Sequence, residues 1–264
     1  MRLSLGIGLG LGARRGVPGY AFANSEASAL VARMTVQPAN GRKALIDSLV
    51  GSLKSAGVWS KMDCLYVVAA HDAQAARLNW VGSSYTLTPV NSPGFVADRG
   101  YTGDGSTSLL ESNYNPTTAA GAYALNSAHI GSWARTNVAA TVSDIGNANS
   151  RIFARTSADA FSGRLNTTTG PALAPSATTS VGHSVLSRLG STTYGLYRDG
   201  TATAGNGSTS EAVLNATFQV LASNTGAFSS RQIACAHWGS GLSAAEIVAL
   251  YSSLNTYFQA IGAA

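Results

Sequence analysis

From residue 80 onward the chain alternates short β-prone runs with clusters of turn residues. The runs are rich in Tyr, Thr, Val, Leu and Phe and recur about every 8–12 residues, which is typical of a sandwich or jelly roll of antiparallel strands. Asp199-Gly200, between two such runs, predicts a hairpin because both turn positions need a positive φ. The predicted strands are 84–90, 94–98, 106–110, 122–133, 137–142, 150–156, 160–166, 184–189, 192–198, 201–204, 217–222 and 231–237.

The polarity of this chain comes from small uncharged residues. Only 11% of the residues are charged, against about 25% in average globular proteins, while 45% are hydrophobic. This composition provides enough apolar material for a core and excludes disorder driven by excess charge. No run of about 18 apolar residues occurs, so we expect no membrane span.

The first residues alternate between large apolar side chains and glycine or serine. The apolar members are Leu3, Leu5, Ile7, Leu9 and Leu11. This period of two predicts a strand, and interior glycines weaken an isolated strand. We therefore expect residues 1–20 to be an arm of the mature protein that docks on another strand, in this chain or in a neighbour. The predicted partner contacts are Leu3, Leu5, Arg14 and Arg15.

Residues 21–79 show helical periodicity and form a predicted small helical module. The strongest segment is 41–56, whose apolar residues make one broad stripe and which Gly57 follows as a C-terminal cap. Helices are also predicted over 25–34 and 60–77, where apolar residues recur at helical spacing.

A last helix is predicted over 243–260. Ser243 and Glu246 have the spacing of a capping box, and an apolar stripe follows them. The chain is thus predicted to consist of three parts. They are the docking arm 1–20, the helical module 21–79 and the β-sandwich with its C-terminal helix, 80–264.

The net charge of +5 arises entirely in the first third of the chain. Residues 1–79 hold nine basic and four acidic residues, whereas residues 80–264 hold eight of each. A basic segment suits nucleic acid, but these basic residues are dispersed and no nucleic-acid motif accompanies them. We therefore expect a solvated face or docking onto an acidic protein partner, and no nucleic acid as a partner.

Four short stretches in the second part of the chain carry a family resemblance. They are 98–108 (DRGYTGDGSTS), 195–200 (GLYRDG), 228–239 (FSSRQIACAHWG) and 241–251 (GLSAAEIVALY). In this order they resemble the laminin-G-like, concanavalin A-like jelly roll. The resemblance covers about residues 80–262 and implies a mainly β sandwich, preceded here by the helical module and closed by a C-terminal helix.

Two further stretches, 1–6 (MRLSLG) and 57–80 (GVWSKMDCLYVVAAHDAQAARLNW), extend the resemblance. With the jelly roll behind them, they are similar to proteins encoded among the tail and virion genes of bacteriophages and prophages. This implies a virion structural protein, such as a tail fibre, collar or decoration subunit, made in the cytoplasm of the bacterial host. Its partners would be other virion proteins and copies of itself. A glycan-binding adhesin for host attachment is the alternative, followed by a glycan-cleaving enzyme.

The acidic residues and histidines form no recognisable catalytic pattern. Glycosidases of this type of fold use two neighbouring carboxylates, yet none of the four glutamates has an acidic neighbour at strand spacing. A distant pair of carboxylates, such as Glu111 with Asp104, is left open by fold analogy. The four histidines occupy separate elements, and serines are too numerous for a Ser-His-Asp set to be chosen. We predict a protein without enzymatic activity.

Ligand sites can be predicted at a few positions only. Calcium, which laminin-G-like domains sometimes bind, could be held by Asp98 and Asp104, whose alternative role is turn formation. No other cofactor or metal is expected. Sugar binding requires an exposed aromatic ring. The candidate rings are Tyr101 and Trp133, followed by Tyr114 and Tyr194.

The two cysteines, Cys64 and Cys235, fit neither a zinc spacing nor a disulfide framework. We interpret them as two unpaired, small apolar residues. A single disulfide between the two ends of the chain is the alternative.

Overall fold

The computed structural model describes residues 19–170, 174–206 and 208–264, and its fold is mainly β. The predicted arm contacts Leu3, Leu5, Arg14 and Arg15 lie outside the described residues. The strands are β1 (Met62–Val67), β2 (Thr88–Val90), β3 (Gly94–Val96), β4 (Gly100–Thr102), β5 (Leu109–Glu111), β6 (Ala128–Ala134), β7 (Ile145–Gly146), β8 (Arg151–Phe153), β9 (Ser162–Arg164), β10 (Gly182–Arg188), β11 (Tyr194–Arg198), β12 (Thr201–Asn206), β13 (Gln219–Val220) and β14 (Gln232–Gly239). The helices are α1 (Ser25–Ala32), α2 (Asn40–Ser55) and α3 (Ala244–Ala260), with short 3₁₀ turns at Trp59–Lys61 and Ala75–Arg77.

Two antiparallel sheets form a sandwich, which confirms the predicted fold class. The larger, eight-stranded sheet has the order β12-β11-β10-β6-β14-β4-β3, and β1 also pairs with β14. The smaller, six-stranded sheet has the order β2-β5-β13-β7-β8-β9. The inner faces of the two sheets meet in a core in which the Trp238 ring lies 5.2 Å from the Phe218 ring and 5.6 Å from the Tyr114 ring, between centroids.

The helices form a third layer on the outer face of the larger sheet, which is the face turned away from the smaller sheet. Phe258 of α3 packs edge-on against Trp133 of β6, with 4.9 Å between ring centroids. Helix α2 lies against α3, and α1 lies against α2. Asp47 on α2 joins this pair, because its carboxylate accepts hydrogen bonds from the N–H groups of Ala23 and Asn24. None of the helices in the described ranges has the length and apolar content needed to cross a membrane.

Residues 60–77 do not form the predicted helix. Met62–Val67 is strand β1 and pairs antiparallel with β14. The segment 64–70 (CLYVVAA) is apolar at every position and buried throughout, and periodicity cannot distinguish a helix from a strand that is covered on both faces. Part of the predicted helical module therefore belongs to the larger sheet. The division of the chain into separate domains stays a prediction.

Residues 137–142 do not form the predicted strand either. The carbonyl oxygens of Val138 and Ala140 accept hydrogen bonds from the guanidinium of Arg231. Arg231 also binds the carbonyl oxygen of Arg155 and the carboxylate of Asp144, and the side chains of Arg231 and Asp144 are fully buried. A buried charge requires such partners, so the backbone of this loop bonds to the arginine instead of to a neighbouring strand.

Several local predictions are confirmed. Asp199 and Gly200 have φ of 50° and 78° in the turn that joins β11 to β12. The Ser243 hydroxyl accepts a hydrogen bond from the Glu246 N–H, and the Glu246 carboxylate accepts one from the Ser243 N–H, which completes the capping box of α3. Gly57 has a φ of 71° after the end of α2, as a C-terminal cap requires.

The two cysteines are unpaired and buried, which contradicts the disulfide alternative. Cys64 lies opposite Trp238 and Cys235 lies opposite Val67, so the register gives their side chains opposite faces of the larger sheet. Burial raises the pKa of the Cys64 thiol to about 12. Both residues therefore act as small apolar side chains of the core.

Candidate functional site

The outer face of the larger sheet divides into a covered part and an open part. Side chains alternate between the two faces along each strand. On β6 and β10 every residue is buried, because the smaller sheet covers one face and α3 the other. Tyr251 of α3 still packs against the β11–β12 turn at Gly200, but beside Gly195 and Gly205, farther along the same two strands, a cleft opens.

Trp133 is at the centre of the covered part. Its ring stacks on Tyr251 of α3, with 5.6 Å between centroids and 10° between planes. It also stacks on His183 of the neighbouring strand at 5.6 Å. Large outward side chains on the central strands therefore provide the surface on which α3 packs.

Three histidines from three strands, here called the histidine cluster, lie beside Trp133 and are fully buried. They are His129 on β6, His183 on β10 and His237 on β14. The Nε2 atoms of His183 and His237 are 2.8 Å apart, and Nδ1 of His129 lies 2.6 Å from the carbonyl oxygen of Ser240. Gly131 makes room for this arrangement, since a Cβ there would lie 2.1 Å from the His237 ring.

Burial lowers the pKa of every imidazole in the histidine cluster. The pKa falls to about 4 for His129 and to about 3 for His183, and that of His237 also lies well below its ordinary value. The cluster is therefore neutral at neutral pH. Within the described ranges, no three His, Cys, Asp or Glu side chains are placed to hold a metal ion. All three rings are fully buried, and that of His183 lies 6.3 Å from the Tyr251 ring of α3, between centroids.

The predicted sugar-binding rings are buried, so this prediction needs correction. Trp133 and Tyr101 are each 4% exposed. The Tyr101 ring packs at 5.0 Å from Phe95, and its hydroxyl donates to the carbonyl oxygen of Ala73. Tyr114 and Tyr194 are buried as well. A sugar needs an accessible ring face, which the core position of these side chains does not offer.

Asp98 and Asp104 do not fit a shared calcium site. The Asp104 carboxylate accepts hydrogen bonds from the N–H groups of Ser106, Thr107 and Ser108, which hold its pKa far below the usual range. Asp98 instead forms an ion pair with Arg42 at 2.6 Å. Calcium requires several oxygens directed at one point, whereas these carboxylates are directed at donors of their own surroundings.

The remaining carboxylates are also engaged within the chain. Each of the twelve Asp and Glu side chains of the protein accepts at least one hydrogen bond from a donor of the same chain. The Lys54 ammonium lowers the pKa of Glu26, and hydrogen bonds from Thr168 and Thr167 lower the pKa of Glu211. The general acid of a glycosidase needs a raised pKa, so that it is still protonated when the substrate binds. Glu111, the partner considered for Asp104, accepts from Asn113 and Gln219.

The open part of the outer face is a cleft of about 460 Å³ between β10, β11 and β12, here called the Tyr197 cleft. Tyr197 is half-buried and forms one side, and Leu189, which is 64% exposed, forms another. Gly195 and Gly205 lie directly opposite each other on β11 and β12 and form the floor. Nothing lies within 4 Å of the position that a Cβ on Gly205 would take, so the space above the floor is open.

The Tyr197 cleft results from the short stretch 195–200, which predicts a hairpin and forms part of the jelly-roll resemblance. In GLYRDG, the residues Gly195 and Tyr197 are two apart and project from the same face of β11. A Cβ on Gly195 would lie 2.6 Å from the Tyr197 ring, so glycine allows the ring to lie along the strand. The alternation of glycine and tyrosine was the available signal. It could not be interpreted without knowing which face α3 covers.

Comparisons with known proteins agree with the sandwich described above. No family model matches the chain, and no curated protein matches it in sequence. A mutant of Trypanosoma rangeli sialidase displaying trans-sialidase activity is similar in structure, with a TM-score of 0.54 and 12% identity over 82% of this chain and 40% of that one. The binding domain of botulinum neurotoxin serotype D has a TM-score of 0.52 and 12% identity over 74% of this chain and 52% of its own.

These likenesses show the fold alone. Another structure, of Trypanosoma rangeli sialidase, has a TM-score of 0.50 and 13% identity, again over 82% of this chain and 40% of the sialidase. The chain thus spans less than two thirds of the length of these proteins. Their activities do not follow from the shared architecture, because one fold supports many functions.

Proposed function

We propose that the chain is a non-enzymatic structural subunit of a bacteriophage particle, such as a tail fibre, collar or decoration protein. The order of the stretches 1–6, 57–80 and the jelly-roll motifs supports the phage assignment. In this proposal the protein is made in the cytoplasm of the bacterial host and functions in the virion. Residues 1–20 dock it to other virion proteins or to further copies, and the sandwich is presented at the particle surface.

The observation that carries the non-enzymatic part of the proposal is the covered sheet face. An enzyme needs a cleft in which reactive groups meet a substrate, and α3 fills the centre of this face with aromatic rings. The carboxylates, for their part, bond to donors of the same chain. A sandwich closed in this way suits a rigid building block.

The experiment that tests this proposal compares the incorporation of two variants into phage particles. Deletion of residues 1–20 should abolish incorporation, because the predicted docking contacts are lost. Gly94→Val, on the exposed edge strand β3, should incorporate normally, since nothing but the Thr102 carbonyl oxygen lies within 4 Å of the new Cβ. Normal incorporation of the deletion variant would refute the docking role. Hydrolysis of a polysaccharide by the purified protein would refute the non-enzymatic role.

Glycan binding is the second candidate function, and the Tyr197 cleft favours it. A cleft of about 460 Å³ with a half-buried aromatic ring is of the size and type that small ligands occupy. As an adhesin, the protein would attach the particle to the host surface. The purified full chain should then retain oligosaccharides on a glycan array. An array without any bound glycan would exclude this candidate and leave the structural role intact.

A further inference from the structure

We propose that the Tyr197 cleft binds a neutral saccharide, with one sugar ring stacked on Tyr197 above the glycine floor. This inference rests on the glycan-binding candidate and specifies its site and ligand class. Three features of the cleft carry it: a half-buried aromatic ring, an open floor and a lining without charge.

The shape of the Tyr197 cleft suits a flat sugar ring. The Tyr197 ring lies along β11 over Gly195 and lines the open cleft. A pyranose presents a flat patch of C–H groups, which packs well on such a ring. Because Gly205 carries no side chain, the sugar can approach the backbone of the floor closely.

Two hydroxyl groups of the cleft can form hydrogen bonds to a ligand. The hydroxyls of Tyr197 and Thr193 have no hydrogen-bond partner among the residues that the structure describes. Both side chains line the cleft. A saccharide carries hydroxyls that both donate and accept, so it can satisfy these two groups, whereas a purely apolar ligand cannot.

The charge of the cleft distinguishes neutral from acidic sugars. The side chains that line the cleft are uncharged. Arg188 of β10 lies between the lining residues Ser187 and Leu189 in the sequence, but its guanidinium is on the inner face of the sheet and donates to the carbonyl oxygen of Leu165. An acidic sugar would lose hydration without gaining a cationic partner. The cleft therefore favours neutral sugars over sialic or uronic acids.

A second copy of the chain fits the cleft less well. A stable protein interface buries roughly 800 Å² on each partner around an apolar centre. Here the exposed apolar side chain at the cleft is Leu189, and the floor is glycine backbone. A small ligand with a flat face matches these features better than a protein surface does.

The test measures binding of neutral trisaccharides to the full chain by saturation-transfer NMR and titration calorimetry. The probes are maltotriose, cellotriose and mannotriose, with lactose and sialyllactose as a matched neutral and acidic pair. Gly205→Val fills the open space above the floor and Tyr197→Ala removes the ring, so each should weaken binding at least about tenfold. Tyr197→Phe keeps the ring and should weaken binding less than about threefold.

Two matched controls come from the opposite edge of the same sheet. Gly94→Val is a glycine replacement on an edge strand, and Phe95→Ala removes a half-buried aromatic ring. Both should leave saccharide affinity unchanged, and circular dichroism should show all variants folded. Stronger binding of sialyllactose than of lactose would overturn the neutral ligand class.

The binding and incorporation experiments separate the role of the cleft from the role of the whole protein. Saccharide binding that survives both Gly205→Val and Tyr197→Ala would overturn the cleft and retain the glycan-binding candidate. Absence of binding to every neutral probe would overturn the inference, while particle incorporation would still test the structural role. Self-association that is abolished by Tyr197→Ala in sedimentation experiments would assign the cleft to a second copy and overturn the saccharide.

Discussion

The covered and open parts of the outer sheet face are built on neighbouring strands and yet differ in character. In the covered part, Trp133 and the histidine cluster pack under α3. In the open part, Gly195 and Gly205 occupy the equivalent outward positions and Tyr197 stays half-buried. Large side chains on the outer face thus form the surface on which a helix packs, whereas glycines on the same face leave a cleft. The same alternation of strand residues produces core in one place and surface in the other.

This contrast assigns stability to the covered part and ligand binding to the open part. Substitutions under α3 should therefore lower the free energy of unfolding, and substitutions in the Tyr197 cleft should not. Equal effects in the two parts would mean that the distinction between them is wrong.

The largest effect is expected for Trp133→Ala. Removal of this buried ring leaves a cavity between β6 and α3, and the free energy of unfolding should fall by about 3–5 kcal/mol. Tyr197→Ala should cost less than about 1 kcal/mol, because its ring is only partly buried. Urea denaturation of both variants checks the comparison. A cost for Tyr197→Ala as high as that for Trp133→Ala would contradict it.

Acid should destabilise the protein through the histidine cluster. In the folded state the pKa of these imidazoles lies below the ordinary value of about 6.5. The neutral rings therefore contribute their full stabilisation of the fold above about pH 6.5. This contribution declines as the pH falls from there toward the folded pKa, because the unfolded chain then binds protons that the folded chain does not. For His129, a folded pKa of about 4 corresponds to a loss on the order of 3 kcal/mol.

Urea denaturation at a series of pH values from 7 to about 4 measures this loss. His183→Phe removes one titrating ring and should make the decline shallower. A free energy of unfolding that stays constant over this range would show that water reaches the histidine cluster.

Two glycines of the same sheet provide a smaller and more direct comparison. Gly131→Ala places a Cβ 2.1 Å from the His237 ring and should cost about 1–3 kcal/mol. Gly205→Ala meets nothing within 4 Å and should change the free energy of unfolding by less than about 1 kcal/mol, with stabilisation favoured. Thermal unfolding of the two variants is the measurement. A reversed order would place the open space under α3 instead of at the cleft.

The smallest effect concerns the attachment of α3. Ser243→Ala removes the capping box and should cost about 1 kcal/mol, with faster hydrogen exchange in the first turn of α3. Ser253→Ala, within the same helix, removes only a bond to the Ala249 carbonyl oxygen and should leave that turn unchanged. Unaltered exchange in the Ser243 variant would show that packing alone holds α3.

Local signals in the sequence predicted local structure well. The Asp199-Gly200 turn and the Ser243–Glu246 capping box involve neighbouring residues, and both are present. Strand β1 was missed because an apolar run buried on both faces carries no period of its own. The fold class was predictable because it depends on many such signals at once.

The site was much less predictable than the fold. The histidine cluster unites residues 129, 183 and 237, and only the pairing of β6 with β10 and β14 brings them together. Tyr101 and Trp133 were chosen as aromatic residues of strands, but their exposure depends on what packs above them. The sequence around Tyr197 indicates no binding role, because the accessibility of its ring depends on where α3 covers the sheet.

Arg231 has a consequence for how such a chain can change. Its guanidinium holds the carbonyl oxygens of Val138, Ala140 and Arg155 together with the Asp144 carboxylate. Loops that share one cation cannot lengthen independently, because an insertion in any of them would withdraw an acceptor from a buried charge. Diversity among descendants of this protein should therefore accumulate at the other end of the larger sheet, where the loop 189–193 between β10 and β11 borders the Tyr197 cleft and can vary without disturbing that anchor.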